Sequence, residues 1–155
     1  MFRSGVRIGV DYGKSRIGVA VTDPSGKISF PHTTLQFSPY GVHLDELLNL
    51  IVEKQAIEVV IGMPVHLNGK EGSSAEFVRD FANELAVEIP DIRVCLMDER
   101  LTTNQAHAGL SEMGVDNRAR KNKIDQLAAS IILENAIETE LRTETPPGET
   151  VEVKN

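Results

Sequence analysis

Four carboxylates stand where a carboxylate needs a physical reason. Asp11 closes the apolar alternation of Val6, Ile8 and Val10, in phase with Gly9 and out of phase with the apolar set. Asp98 and Glu99 follow directly on the run Ile92-Arg-Val-Cys-Leu-Met97, with Glu99 in phase with Cys95 and Met97, and Asp98 with Leu96. Asp125 shares a helical face with Ala129, Ile132 and Ala136. A carboxylate in line with an apolar stripe is costly to bury unless a basic partner, a proton or a metal ion compensates it. Ordinary roles compete at each position: a turn cap at Asp11, a helix-dipole partner at Asp98 or Glu99, a water-exposed helix start at Asp125. Should the acids converge, a hard cation between them relieves their repulsion, and Mg2+ takes oxygen ligands of this kind. Two such ions ~3.5–4 Å apart can activate water on one side and stabilise a leaving oxygen on the other.

The basic residues point the same way. Arg118, Arg120, Lys121 and Lys123 crowd the stretch before Asp125, where cations oppose the dipole of a starting helix. A locally unfavourable cluster beside a candidate metal acid suits a phosphate backbone. Lys14 and Arg16 near Asp11, and Arg100 beside Glu99, join that face if the acids meet.

The elements that must position these groups follow from periodicity. Residues 6–11 and 16–22 alternate as strands around the turn Tyr12-Gly-Lys-Ser, and 28–35 reads as a third strand, kept at an edge by Pro31. Leu44, Leu47, Leu48, Ile51 and Val52 then mark one face of a helix. Residues 57–61 form a short apolar strand. Ser73 and Glu76 have the form of a capping box opening a helix through Val78, Phe81, Ala82 and Leu85. Residues 92–97 make a fifth strand. Thr102 and Gln105 suggest another capping box, for a short helix to about Met113, and a last helix runs from 117–123 to about Leu141. The alternation after the meander requires right-handed crossovers between parallel strands. The expected fold is α/β: a five-stranded mixed sheet with helices on both faces. The domain spans 1–142, and 143–155, with Pro146-Pro147-Gly148 ending ordered structure, is expected to be an acidic, disordered tail.

The 155 residues carry 16 Lys+Arg against 23 Asp+Glu, a net charge of -7. Binding of a polyanion by bulk charge is therefore excluded, and any such site must be local. No apolar run approaches the ~18 residues that span a bilayer, and the N-terminus lacks a signal-peptide core. One cysteine, Cys95, cannot make an internal disulfide. A cytoplasmic protein is the expectation. With Trp absent, two Tyr and five Phe, no stacking surface for bases is evident. The four histidines are scattered without ligand spacing.

Four blocks together carry a resemblance: Val10-Asp11-Tyr-Gly13-Lys-Ser-Arg16-Ile17-Gly18-Val19-Ala20; Gly62-Met63-Pro64 with Gly69; Asp98-Glu99-Arg100-Leu101-Thr102-Thr103; and Lys123-Ile124-Asp125 through Ala128-Ala129 to Ile132-Leu133. In this order and spacing, over about residues 6–137, the chain resembles the YqgF/RuvX family. These are ribonuclease H-like proteins described as nucleases of pre-16S ribosomal RNA and as Holliday junction resolvases. The resemblance implies a ribonuclease H-like fold with strand order 3-2-1-4-5. It implies metal ligands, and so catalytic residues, at Asp11, Glu99 and Asp125, with Asp98 as second choice at its site. It also implies Mg2+ or Mn2+, as two ions.

Three functional classes follow. The first is a metal-dependent nuclease, acting on the pre-16S ribosomal RNA end or, alternatively, on branched DNA, with Lys14, Arg16, Arg100, Arg118, Arg120, Lys121 and Lys123 holding phosphates. A junction resolvase would add a symmetric homodimer for paired cuts. The second is a nucleic-acid-binding or transcription-associated factor without catalysis. The third, an ATP-binding protein of the actin and sugar-kinase type, needs two related domains where 155 residues supply one. The nuclease is the expectation.

Overall fold

The computed structural model describes residues 1–64, 72–98 and 117–153. Strands β1 (Arg7–Tyr12), β2 (Arg16–Thr22) and β3 (Ser29–Gln36) form the antiparallel meander. The β1–β2 turn is closed by the Gly13 N–H donating to the Arg16 carbonyl, 3.0 Å. β3 lies at the sheet edge, and its register against β2 slips between Val19 and Ala20, where Pro31 replaces a donor. Helix α1 (Val42–Lys54) leads to β4 (Glu58–Met63), and α2 (Ser73–Glu88) to β5 (Arg93–Asp98). Both strands join in parallel, β4 beside β1 and β5 beside β4. Helix α3 (Asn117–Thr143) follows.

The sheet order is β3-β2-β1-β4-β5-β6, six strands where five were expected. The sixth, β6 (Glu149–Thr150), comes from the segment expected to be a disordered tail. It pairs antiparallel with β5, the Val151 N–H donates to the Val94 carbonyl at 2.8 Å, and Arg79 and Arg93 clamp Glu149 and the Thr150 hydroxyl. Gly148, at φ +70, turns the chain back against Leu96, so the Pro-Pro-Gly sequence makes a return to the sheet edge. One capping expectation changes as well. Gly72 is the N-cap of α2 and Ser73 is already helical, so the Ser73–Glu76 box is not used. The Thr102–Gln105 box and its helix lie outside the described residues.

Parity sorts the sheet into two faces. Ile8, Val10, Val59 and Ile61 meet Leu47, Ile51, Val78, Phe81 and Leu85 beneath α1 and α2, forming the larger core. Val52, expected on the buried face of α1, is 73% exposed, and His43 is buried in the helix's first turn. The opposite face is built of small residues. Ala20, Val60 and Cys95 pack against Ala129, Ile132, Leu133 and Ala136 of α3. Burial of Ile132 or Leu133 contributes about 1.5–3 kcal/mol each. The small residues let α3 ride unusually close: a Cβ at Gly9 would lie 2.6 Å from Leu133 Cγ and 2.7 Å from the Ala129 carbonyl oxygen. That close approach sets the height of every group α3 carries.

Candidate active site

Asp11 lies near the end of β1, directly opposite Gly18 of β2. Paired residues of antiparallel strands project to the same face, so the direction of the missing Gly18 side chain is also that of Asp11. A Cβ at Gly18 would fall 2.0 Å from the Asp125 carbonyl oxygen and 2.9 Å from Asp125 Cβ. Asp11 and Asp125 are thus brought to one place, on the α3 face of the sheet, across the gap left by Gly18. The start of α3 is fixed there by two further bonds: the Thr34 hydroxyl donates to the Asn122 carbonyl, and Gln126 donates to Thr34 Oγ1.

Arg16, two residues before Gly18 on the same face, donates from Nε to Asp125 Oδ2 at 2.7 Å. The two side chains are 34% and 15% exposed. Burial pushes the Asp125 carboxyl above its ordinary range, and the Arg16 guanidinium opposes that shift without cancelling it. Two carboxylates on one face from separate elements, that of Asp125 half-buried, offer hard oxygens of the kind that fit Mg2+ or Mn2+. Among the described residues no third carboxylate, histidine or cysteine completes a cluster of three.

The remaining expectations divide. Asp98 is exposed at the end of β5 and, by alternation with Leu96, falls on the α1/α2 face. The structure does not bring it to Asp11 and Asp125, which removes the geometric support for the second choice. Met97, in contrast, packs with the α3 cluster. Glu99 and Arg100 lie outside the described residues, as does the Arg118 side chain. Lys121 and Lys123 are exposed along the first turns of α3 and Arg120 is half-buried, all upstream of Asp125. Lys14 leans to the other side of the sheet, its Nζ 5.9 Å from the Phe77 ring centroid.

Two constellations escaped the sequence. Tyr12, next to Asp11, stacks on Phe81 with centroids 3.8 Å apart and gathers Phe37, Phe77 and His43 around it. The Ser38 N–H donates to His43 Nδ1, so the neutral ring carries its proton on Nε2, which faces the Tyr12 hydroxyl at 3.0 Å. Burial, with Glu84 adding, pushes the Tyr12 phenol up to about 12. No spacing signals this cluster; only the adjacency of Tyr12 to Asp11 hinted at it. At the opposite end of the sheet, Glu58 and Glu140, 0% and 1% exposed, are held by Arg3, Arg7 and Arg93. Glu140, which reads in the sequence as part of an acidic, solvated C-terminal stretch, instead ties the far end of α3 to β1 and the N-terminal segment.

Comparison with known proteins follows the same lines. A family model described as "RuvX: Holliday junction resolvase" matches residues 5–139. A Thermobifida fusca protein named "Putative pre-16S rRNA nuclease" is 44% identical over 157 residues, 97% of this chain and 98% of its own. A protein of the same name from Streptomyces coelicolor is 44% identical over 151 residues, 97% of this chain and 90% of its own. Among solved structures, "T. thermophilus RuvC in complex with Holliday junction substrate" superposes with a TM-score of 0.59 at 17% identity, covering 94% of this chain and 99% of that one. That likeness shows a common, ribonuclease H-like fold.

Proposed function

The chain belongs to the RuvX family, and on that premise we propose a metal-dependent nuclease that hydrolyses phosphodiesters at the pre-16S ribosomal RNA end. The observation that carries the reading is the placement of Asp125 against Gly18, opposite Asp11. The substrate follows from the curated relatives, which share 44% identity over almost the whole chain and carry the pre-16S name. A ribosomal precursor as substrate makes the cytoplasm the working compartment. Among the described residues no helix is long and apolar enough to cross a membrane.

Asp11 and Asp125, with Glu99 from outside the described residues, would hold Mg2+ or Mn2+, as two ions. When bound, the ions supply an acidified water and neutralise charge on the phosphate. The chain's own residues do the rest. Arg16 and the first turns of α3, with Arg120, Lys121 and Lys123, bind the backbone phosphates; Arg100 and Arg118 extend that surface, and Lys14, turned toward Phe77 on the other side of the sheet, does not. Such contacts set register on the nucleic acid without reading its sequence. They also reconcile a net charge of -7 with a polyanionic substrate, because the cations are local.

The family model's description favours a second reading, branched DNA, whose paired cuts require a symmetric homodimer. One assay decides. Purified protein is incubated with Mg2+ or Mn2+ and either labelled ribosomal RNA precursor or a four-way DNA junction, beside Asp11→Asn and Asp125→Asn. Cleavage of the RNA alone, lost in EDTA and in both variants, is the expected result. Cleavage of the junction alone moves the substrate to DNA. Salt-dependent binding without cleavage of either replaces the enzyme with a binding factor.

A further inference from the structure

The contact between Arg16 and Asp125 has a consequence for how the site loads. Arg16 opens β2, and its carbonyl is pinned by the Gly13 N–H, so its backbone does not wander. Its guanidinium spends one N–H, on Nε, on Asp125 Oδ2. The other N–H groups make no hydrogen bond within the described residues, and the side chain is about one-third exposed. The charged fork is thus held at the mouth of the site by a single bond. The bonded oxygen belongs to a carboxylate proposed to hold a metal.

We propose that Arg16 is a charge-exchange switch: it neutralises Asp125 in the metal-free protein, is released when a divalent cation takes the carboxylate, and then carries its fork to a substrate phosphate. The inference rests on the nuclease reading, since it assigns a regulation to the same site. The physical logic is exchange of one positive partner for another. A guanidinium and a divalent ion on one carboxylate repel each other at short range, so each weakens the other's hold. Once free, the planar fork suits a phosphate's paired oxygens. Metal and polyanion then help each other to bind, and by linkage the assistance is equal in both directions. The arrangement gives the metal-free protein less reason to grip nucleic acid through this arginine.

The test measures binding without turnover. Free Mn2+ is titrated by its paramagnetic resonance signal with wild type, Arg16→Gln, Arg16→Lys and Asp125→Asn, in the absence of nucleic acid. Removal of the competing charge in Arg16→Gln should tighten Mn2+ by about 5- to 10-fold, in the range of ordinary coupling between sites. Arg16→Lys, which keeps a competing charge, should stay within about 2-fold of wild type. In Ca2+, used in place of a metal that supports cleavage, wild type should gain affinity for a short RNA and Arg16→Gln should lose most of that gain. The wild-type protein supplies a check that needs no variant. The Arg16 Nε–H resonance should exchange slowly without metal and lose that protection on Mg2+ addition. Unchanged or weaker Mn2+ binding in Arg16→Gln, or a protected Nε–H that survives saturation with Mg2+, overturns the switch and leaves the nuclease reading standing. Absence of Mn2+ binding to wild type removes both.

Discussion

Replacement of Gly18 by alanine is the most direct probe of how the two acids are brought together. The added Cβ would stand 2.0 Å from the Asp125 carbonyl oxygen and 2.3 Å from its carbonyl carbon, where ordinary contact begins at 3.4 Å. Both obstructing atoms are backbone, so no rotamer change relieves the clash. Helix α3 must retreat by roughly 1.4 Å, the shortfall between those two values, at the end that carries Asp125. Overpacking of this kind costs about 1–3 kcal/mol, which in a chain of this size lowers Tm by about 3–10 °C. The functional cost should be larger. A displacement of ~1 Å in a catalytic group can cost on the order of 100-fold in rate. The assay pairs thermal unfolding with cleavage of ribosomal RNA precursor under saturating metal. Gly41→Ala is the control: its φ of +81 makes alanine strained, at about 1–2 kcal/mol, but a Cβ there meets nothing within 4 Å. It should lose stability and keep its cleavage rate. A Gly18→Ala protein that melts with wild type and cleaves at the wild-type rate would refute the claim that this contact sets the site.

Other outcomes follow from three buried groups. Glu140→Ala leaves Arg7, itself 1% exposed, without one of its carboxylates, and loss of one partner from a buried ion pair costs about 3–5 kcal/mol, readable by urea unfolding. Burial raises the Glu140 carboxyl, but the hydrogen bonds and charge of Arg3 overcome it and hold the group below 4.5. The unfolded chain therefore binds the proton first, so this contribution is full above about pH 4.5 and fades as pH falls through the folded value; Glu140→Gln should flatten that part of a stability–pH curve. His43 is held below 6.5 chiefly by burial, against the opposing charges of Glu84 and Glu46. Its neutral form is favoured by folding, so stability should fall as pH drops below about 6.5 and His43→Phe should remove that slope, with the ring's own titration followed by NMR. Burial pushes the Cys95 thiol up to about 12, and a thiol-specific reagent at pH 8 should leave it unmodified until the protein is unfolded, since only about 1 in 10,000 is thiolate.

The elements were legible because each depends on short-range pattern. Alternation in residues 6–11 and 16–22, the leucine stripe near 44–51 and the apolar run at 92–97 appear as β1, β2, α1 and β5 within a residue or two. Where the reading slipped, long-range partners decided. The sequence shows Pro-Pro-Gly and an acidic stretch after residue 142, but the open edge of β5 and the guanidinium groups of Arg79 and Arg93 draw Glu149 and Thr150 into the sheet. Glu140 looks like one more surface charge until Arg3 and Arg7, more than 130 residues away, enclose it. Ser73 has the composition of a cap, yet Gly72 takes the N-cap position and Ser73 is the first helical residue.

The site divides in the same way. Residue type and phase singled out Asp125, because a carboxylate aligned with an apolar face is costly whatever the fold; Asp11 stood out as the acid that closes the first strand, and the four motif blocks named the family. The sequence could not say that Gly18 is the spacer between them. Its role depends on the β1–β2 register and on the height of α3, which is set by Gly9, Ala20, Ala129 and Leu133 packing from both sides. Nor could it show that Arg16 faces Asp125 across 109 residues of chain or that Asp98 falls on the other face of the sheet. Chemical identity is local, so the sequence determined which groups could act. Proximity is the sum of register, crossover and packing over the whole domain, and only the tertiary structure decided which of them meet.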